Sequence, residues 1–544
     1  MTPIPATRLL PWRQFTRVAH LTGLGAMLAF LPVFNVGMSI AGFVLAGAWL
    51  VDLVLDVLEG TPWRKFQRFA SNKAALVLVS LFVLHVLGLL WTQDLDYGLK
   101  DLRVKLPLLF LPIVLAGLEA ISERWLHRLM HVFVAAVVFS TFTSMWVHWG
   151  WVDRPIGDDV REITHAFIAR ISHIRLSLLA TLAMAFATFR AWKHPRWALL
   201  YAVVVGWLLA FLWTIESVTG MGLALVLLGF FMLRLVWTHA GKTVRRLALA
   251  GLLVIWAGSL VYVGTVVRDY FDVEAIDPDA LEAETPRGEP YFHDLENQQL
   301  ENGHYVWTYV AWGELASGWN ERSSLDFNGE DQRGQQLKFT LIRFLTSKGL
   351  RKDADGVAAL TAEDVHCVEK GIASNAEVGA GGFRSRINKI LLEVDIYRNG
   401  GNPGGNSVTQ RLEFWRVGAH IFASNPVVGV GTGDVPAAFE QAYHDTGSTL
   451  KAEHRLRTHN QYLTMGVAFG VLGILWFLVA FIWPGRIQGA FKRPIYLAFF
   501  LVAALSFFTE DTLETQAGAT FYAFFQSFLL LGVFWRDQRT DSLR

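Results

Sequence analysis

Apolar residues fall along this chain in long, nearly unbroken runs. A helix that crosses a bilayer needs about 20 mostly apolar residues. About twelve runs of this kind lie at 19–37, 38–58, 74–92, 105–121, 129–152, 172–190, 197–214, 217–237, 247–267, 461–484, 494–509 and 517–535. Between the ninth and tenth runs, roughly 268–460, the pattern turns polar. Structureless loops of such length are uncommon, so a folded, mainly helical domain is expected there. Within it, Leu337, Phe339, Leu341, Ile342 and Leu345 recur near the helical period, with Gly349 as the stop. Thr361, Asp364 and Gly371 frame a short capped helix, and the segment 399–406 reads as a glycine-rich loop. The expected fold is therefore all-α integral membrane, with about twelve transmembrane helices and one large polar domain. Its parts are 1–267 with about nine spans, 268–460 as the polar domain, and 461–544 with about three spans.

The bases alternate between loops. Arg8, Arg13 and Arg17 precede the first run, and Arg64, Lys65, Arg68 and Lys73 follow the second. Arg124 and Arg128, then Arg190, Lys193 and Arg196, then Lys242, Arg245 and Arg246 continue the series, which ends with Arg486, Lys492 and Arg493, then Arg536, Arg539 and Arg544. The intervening loops are acidic, with Asp153, Asp158, Asp159 and Glu162 in one and Glu510, Asp511 and Glu514 in another. Bases stay inside, so both termini are expected in the cytoplasm and the polar domain outside. The first run lacks a small-residue cleavage site and is expected to be retained as a span. Asp52 and Asp56, near the inner end of the second run, are expected to be solvated.

Composition sharpens this picture. Apolar residues make up 53% and charged residues 17% of 544, below the roughly 25% charged of soluble proteins. That balance argues against a nucleic-acid binder, a disordered chain and an ordinary soluble enzyme. The formal charge of +1 implies no bulk electrostatic partner, and a single cysteine, Cys367, rules out an internal disulfide.

Candidate chemistry gathers where the polar block meets the tenth run. The stretch RLEFWRVGAHIFASNPVVGVGTGD (411–434) begins as a helix bearing Arg411, Trp415 and Arg416, stops at Asn425-Pro426, and passes into Gly429, Gly431 and Gly433. RTHNQYL (457–463) follows and leads directly into the run. Arginine forks bind phosphate, glycines allow close backbone approach, and a histidine accepts a proton near neutral pH. Together they suit the departure of a phosphate-type leaving group. Arg411 and Arg416 are five residues apart, so on a helix they diverge by about 140°. Asn460 is suited to cap the tenth run.

Arg-x3-Trp, then Asn-Pro-x3-Gly-x-Gly-x-Gly, then His-Asn-x-Tyr-Leu at the head of a span resembles the O-antigen ligase/polymerase superfamily. The resemblance implies a GT-C type glycosyltransferase of the bacterial inner membrane. It would move a glycan from undecaprenyl pyrophosphate to an acceptor hydroxyl, such as that of lipid A-core, at the periplasmic face, with inversion and without metal or other cofactor. Carried onto this sequence, His459 is the catalytic base and Arg411 a pyrophosphate ligand, with Arg416 a further candidate. A second family arginine is expected in ESVTGMG (216–222), where Val218 stands instead. Arg175, at the outer end of the sixth run, is the expected substitute, since an arginine at a span's edge usually has a function.

Other readings remain. An O-antigen or exopolysaccharide polymerase and an O-linked protein glycosylase share the donor chemistry. A lipid-linked sugar transporter belongs to another class, but transporters often show repeated halves and no repeat is apparent. His444, His454 and His459 are loosely spaced for zinc. Asp94 and Asp96 form a DxD that chance readily supplies. Trp307, Trp312 and Trp319 fit a core or interfacial belt better than a sugar platform.

Overall fold

The computed structural model describes the chain except residues 1–5, 154–159, 166–167, 169–170, 240, 272, 274–275, 333, 376–382, 399–402, 405–406 and 536–544. Asp158, Asp159, Arg536, Arg539, Arg544 and most of the 399–406 loop lie outside the described residues. The chain forms two compact units: 1–246 with 414–447 and 456–544, and 247–413 with 448–455.

All twelve apolar runs lie on helices. In order these are α1 (Ala6–Phe30), α2 (Asn35–Leu58), the short α3 (Arg64–Ser71), α4 (Lys73–Leu87), α5 (Leu95–Gly117), α6 (Glu123–His148), α7 (His173–Lys193), α8 (Ala198–Thr214), α9 (Val218–His239) and α10 (Lys242–Phe271). The polar stretch then supplies α11 (Trp312–Asn320), α12 (Leu337–Ser347), α13 (Ala354–Ala358), α14 (Ala362–Glu369), α15 (Phe383–Arg398), α16 (Ser407–Ser424) and α17 (Val435–Asp445). The chain closes with α18 (Gln461–Ile487), α19 (Pro494–Thr509) and α20 (Gln516–Leu531). Seven of the described helices are long and apolar enough to cross a membrane, and two shorter apolar stretches, Val218–Arg234 and Pro494–Thr509, accompany them. This is the all-α membrane class expected from the sequence.

Several helix boundaries differ from the sequence expectation, and two of the differences have a local cause. The first two helices part at residues 31–34, beside Pro32, and not at 37. Proline disfavours helix at the residue before it. The helix expected from 105 starts at Leu95, because the Asp94 side chain accepts from the Tyr97 N–H at 2.9 Å and caps it. Within the first unit α1 packs on α2 and α6, α4 on α5 and α18, and α20 on α5.

Asp52 and Asp56 are not solvated. Arg13 on α1 reaches Asp52 at 2.5 Å, Asp56 at 2.6 Å and Glu59 at 2.7 Å, and Lys65 on α3 pairs with both aspartates. Asp56 is 1% exposed. A carboxylate is buried at such a depth only with partners; here bases from two other helices supply them.

In the second unit α12 has the expected apolar face except at Phe339, which is 40% exposed. Leu337, Leu341, Ile342 and Leu345 join Val306, Trp319, Phe344, Val357 and Val368 in its core, and Gly349 follows the helix with φ of 66°. Thr361 and Asp364 form a reciprocal capping box on α14. Trp319 is fully buried, and Trp307 and Trp312 pack against the same core.

Candidate functional site

His459 stands at the head of α18, and its setting is built from the turn 457–461. Thr458 is buried, and its hydroxyl accepts from the Asn460 N–H at 3.1 Å and lies 2.5 Å from the Thr464 hydroxyl. The Asn460 side chain caps α18 through the Leu463 N–H at 3.1 Å. Between these two clasps His459 holds φ of 45°. Left-handed backbone at a non-glycine residue is uncommon, and such strain clusters where geometry is functionally fixed.

The imidazole faces the connection between α19 and α20. Its Nδ1 lies 3.6 Å from Glu510 Oε2 and 3.6 Å from Asp511 Oδ1. The Phe414 ring covers it from α16, centroid to centroid 5.6 Å. Burial pushes the Asp511 carboxyl up, and Glu514 and Glu510 add to that against the pull of His459.

Two residues that the sequence analysis did not single out hold this acidic connection in place. Gln461 is fully buried; its carbonyl accepts from the Leu513 N–H at 2.7 Å and its amide donates to Glu514 at 3.3 Å. It occupies the variable position of the His-Asn-x-Tyr-Leu pattern, so nothing in that pattern marked it. Arg457 pairs with Glu514 at 2.6 Å and bonds the Tyr97 hydroxyl. Lys105 on α5 completes the cluster, 2.8 Å from Glu514 and 2.7 Å from Asp101. Burial alone would raise the Glu514 carboxyl, but Lys105 and Arg457 outweigh it and hold the group well below the usual carboxylate range.

Arg175, in the first turn of α7, reaches the other side of the acidic connection. It lines a cavity of about 40 Å³ together with Glu510, Asp511, Thr512 and Thr515, and donates to the Thr515 hydroxyl at 2.5 Å. The acid pair thus lies between a histidine and an arginine that are 284 positions apart in the sequence. Arg416 is exposed on α16 and donates to the Thr446 carbonyl at 3.1 Å. Arg411, on the first turns of the same helix, belongs to the second unit, where Glu413 accepts from the Tyr397 hydroxyl at 2.6 Å.

The glycine run faces protein backbone. The Gly470 backbone, φ 65° and ψ −160°, breaks α18. The carbonyls of Val467 and Ala468 accept from the N–H groups of Val430 and Gly431 at 3.0 and 2.9 Å, and the Val471 N–H donates to Pro426. A Cβ on Gly429 would sit 2.3 Å from the Ala468 backbone, and one on Gly433 would sit 2.0 Å from the Asp94 carbonyl. Backbone groups freed by a break in an apolar helix must find partners within the protein; residues 426–431 supply them. The Asp434 carboxylate accepts from the Gln93 and Asp94 N–H groups at 2.8–3.0 Å and fixes the far end of the run.

His459, Glu510 and Asp511 also offer ligand atoms within 4.8 Å of one another, a spacing that one cation could bridge. Residues 378–478 match the family model described as O-Antigen ligase. This stretch of the chain is an O-antigen ligase family domain. It runs from just before α15 into α18 and takes in Arg411, the glycine run and His459, whereas Arg175, Glu510 and Asp511 lie outside it. No curated protein matches the chain.

Proposed function

We propose that this O-antigen ligase family protein is a glycosyltransferase of the bacterial inner membrane. It moves a glycan from undecaprenyl pyrophosphate to an acceptor hydroxyl at the periplasmic face. The observation that carries the proposal is the convergence of His459 and Arg175 on Glu510 and Asp511, because inverting transfer needs a proton acceptor close to a cation that can meet a departing diphosphate.

The acceptor oxygen attacks the anomeric carbon while the bond to the pyrophosphate oxygen breaks. The pyrophosphate leaves with that electron pair, and His459 takes the hydroxyl proton. Carboxylates beside an imidazole stabilise the imidazolium that results and fix its orientation, as in hydrolase triads. Arg175 supplies positive charge to the leaving group, and Arg411 is assigned the same role from the family motif. The leaving group is already activated, so a base and charge stabilisation suffice. Ligase, polymerase and protein glycosylase differ only in the acceptor, and the ligase, with lipid A-core or a similar acceptor, is the reading adopted. Both termini are placed in the cytoplasm and the stretch 268–460 in the periplasm.

The cation-sized spacing of His459, Glu510 and Asp511 favours a second reading, a metal-assisted transferase. Arg175 beside the same acid pair opposes it, because a guanidinium and a divalent cation repel. One assay tests both. Purified protein in nanodiscs receives undecaprenyl-pyrophosphate glycan and candidate acceptors, with and without EDTA. Glycan on an acceptor, with equal rates in both conditions, is expected. Absence of transfer to every acceptor contradicts the proposal, and loss in EDTA with rescue by Mg²⁺ or Mn²⁺ replaces it with the second reading.

A further inference from the structure

The second unit holds a feature that the transfer chemistry does not use. A cavity of about 730 Å³ opens between the segments 303–309 and 346–352, within the range of small-molecule sites, roughly 300–1,000 Å³. Residues 276–281 also border it, and its wall carries Asp277, His304, Tyr305, Tyr309, Arg351 and Lys352; the Asp277 carboxylate accepts from the Asp279 N–H at 3.1 Å.

The two bases differ. Arg351 is neutralised: Glu282 accepts from both of its terminal nitrogens at 2.5 Å, and its guanidinium lies 4.7 Å from the centre of the Tyr309 ring. Lys352 is 4% exposed and donates to the Tyr305 carbonyl at 3.1 Å. Among the described residues it pairs with no carboxylate. The neighbouring Asp353 is taken up by the Tyr291 hydroxyl at 2.5 Å and the Gly356 N–H at 2.8 Å. Burial pushes the Lys352 amine down to about 7, with only partial relief from Asp353. A buried ammonium without a counter-charge is unfavourable, and an anion in the cavity would remove that penalty.

The backbone agrees. Tyr309, at the end of the segment 303–309, holds φ of 55°, whereas the positive φ of Asn302 is the ordinary Asn-Gly turn of the hairpin 300–305. Left-handed backbone at a non-glycine residue is found at ligand clamps. Tyr309 borders the cavity with Tyr305, and its ring also packs with Tyr291, His293 and Arg351. An aromatic wall accepts the apolar face of a sugar ring, and a cation accepts its charged substituent.

We propose that this cavity binds an anionic saccharide unit, with Lys352 as the counter-charge and Tyr305 as the stacking surface. The inference rests on the transferase reading only in taking a sugar as the carrier of the charge. A carboxylate and a phosphate substituent supply the same chemistry.

Isothermal titration of the full-length protein in nanodiscs, with glucuronate, glucose 6-phosphate, glucose and inorganic phosphate, tests it. At least one charged sugar is expected to bind at least tenfold more tightly than glucose and than phosphate alone, and the stronger of the two identifies the substituent. Lys352→Met is expected to reduce that affinity to the level of glucose, and His459→Ala to leave it unchanged, which separates this binding from the transfer chemistry. Binding of neither charged sugar, equal binding of glucose, or full affinity in a folded Lys352→Met overturns the proposal. Should Lys352→Met fail to fold, the discrimination between glucuronate, glucose 6-phosphate and glucose by the unmodified protein decides it alone.

Discussion

At the scale of residues, the account turns on why a carboxylate as buried as Asp511 is kept. Burial raises its ionisation in the fold above that of the unfolded chain. The sign follows from linkage: a raised carboxylate binds its proton more tightly in the native state, so ionising it opposes folding. That penalty is fully present above the raised value and is relieved as pH falls through it. Asp511→Asn removes the charge with little change in shape. It is expected to hold or raise the thermal midpoint at pH 7.5 while lowering glycan transfer at least tenfold. Melting curves and initial rates on the same sample check this; a lower midpoint with unchanged transfer would make Asp511 a structural residue. The opposite trade-off is what a functional site produces, since stabilising changes there weaken activity.

At the scale of elements, the broken α18 and its glycine strap form the frame on which His459 is mounted. Gly429 and Gly470 combine positive φ with a Cβ position 2.2–2.3 Å from backbone atoms of the other segment. Gly447 also has positive φ, 61°, but open space around it. Gly447→Ala should therefore lose only the left-handed penalty, about 1–2 kcal/mol. Gly429→Ala adds an unavoidable clash and should lose at least 2–4 kcal/mol, on the order of the overpacking cost plus that penalty. The yield of folded, monodisperse protein and its melting midpoint measure the difference; equal behaviour would mean that the strap is loosely held.

Much of this was legible in the sequence. The apolar runs announced their helices because a run of that length has one stable form in a bilayer. Thr361, Asp364 and Gly371 announced α14 because a capping box is local chemistry. Less was legible where partners are distant. Asp52 and Asp56 read as solvated because their bases, Arg13 and Lys65, come from other helices. The start of α5 was obscured because Asp101 and Lys105 interrupt the apolar run, yet they pair with each other, and Lys105 also pairs with Glu514. Glu510 and Asp511 were visible as acids, but not as the neighbours of His459, because two helices separate them in the chain. Gln461, which brings them there, carries no charge and no motif signal.

At the scale of the whole molecule, the sequence divides into an apolar, helical unit and a second unit with its own core. The proposed topology puts the stretch 268–460 outside. In a Cys367→Ala background, which leaves no other cysteine, His366→Cys should react with a membrane-impermeant maleimide in spheroplasts, and Gln67→Cys only after permeabilisation. Both positions are exposed. The reverse pattern would invert the topology and move the transfer site to the cytoplasmic face. The central claim is that His459 accepts the proton in glycan transfer. Its most direct test is single-turnover transfer from undecaprenyl-pyrophosphate glycan by purified wild type and His459→Ala, each confirmed folded by its melting curve. A loss of about 10²–10⁴-fold, the usual contribution of a general base, is the predicted result. A folded His459→Ala that transfers glycan within about threefold of wild type, far less than that loss, would contradict the account.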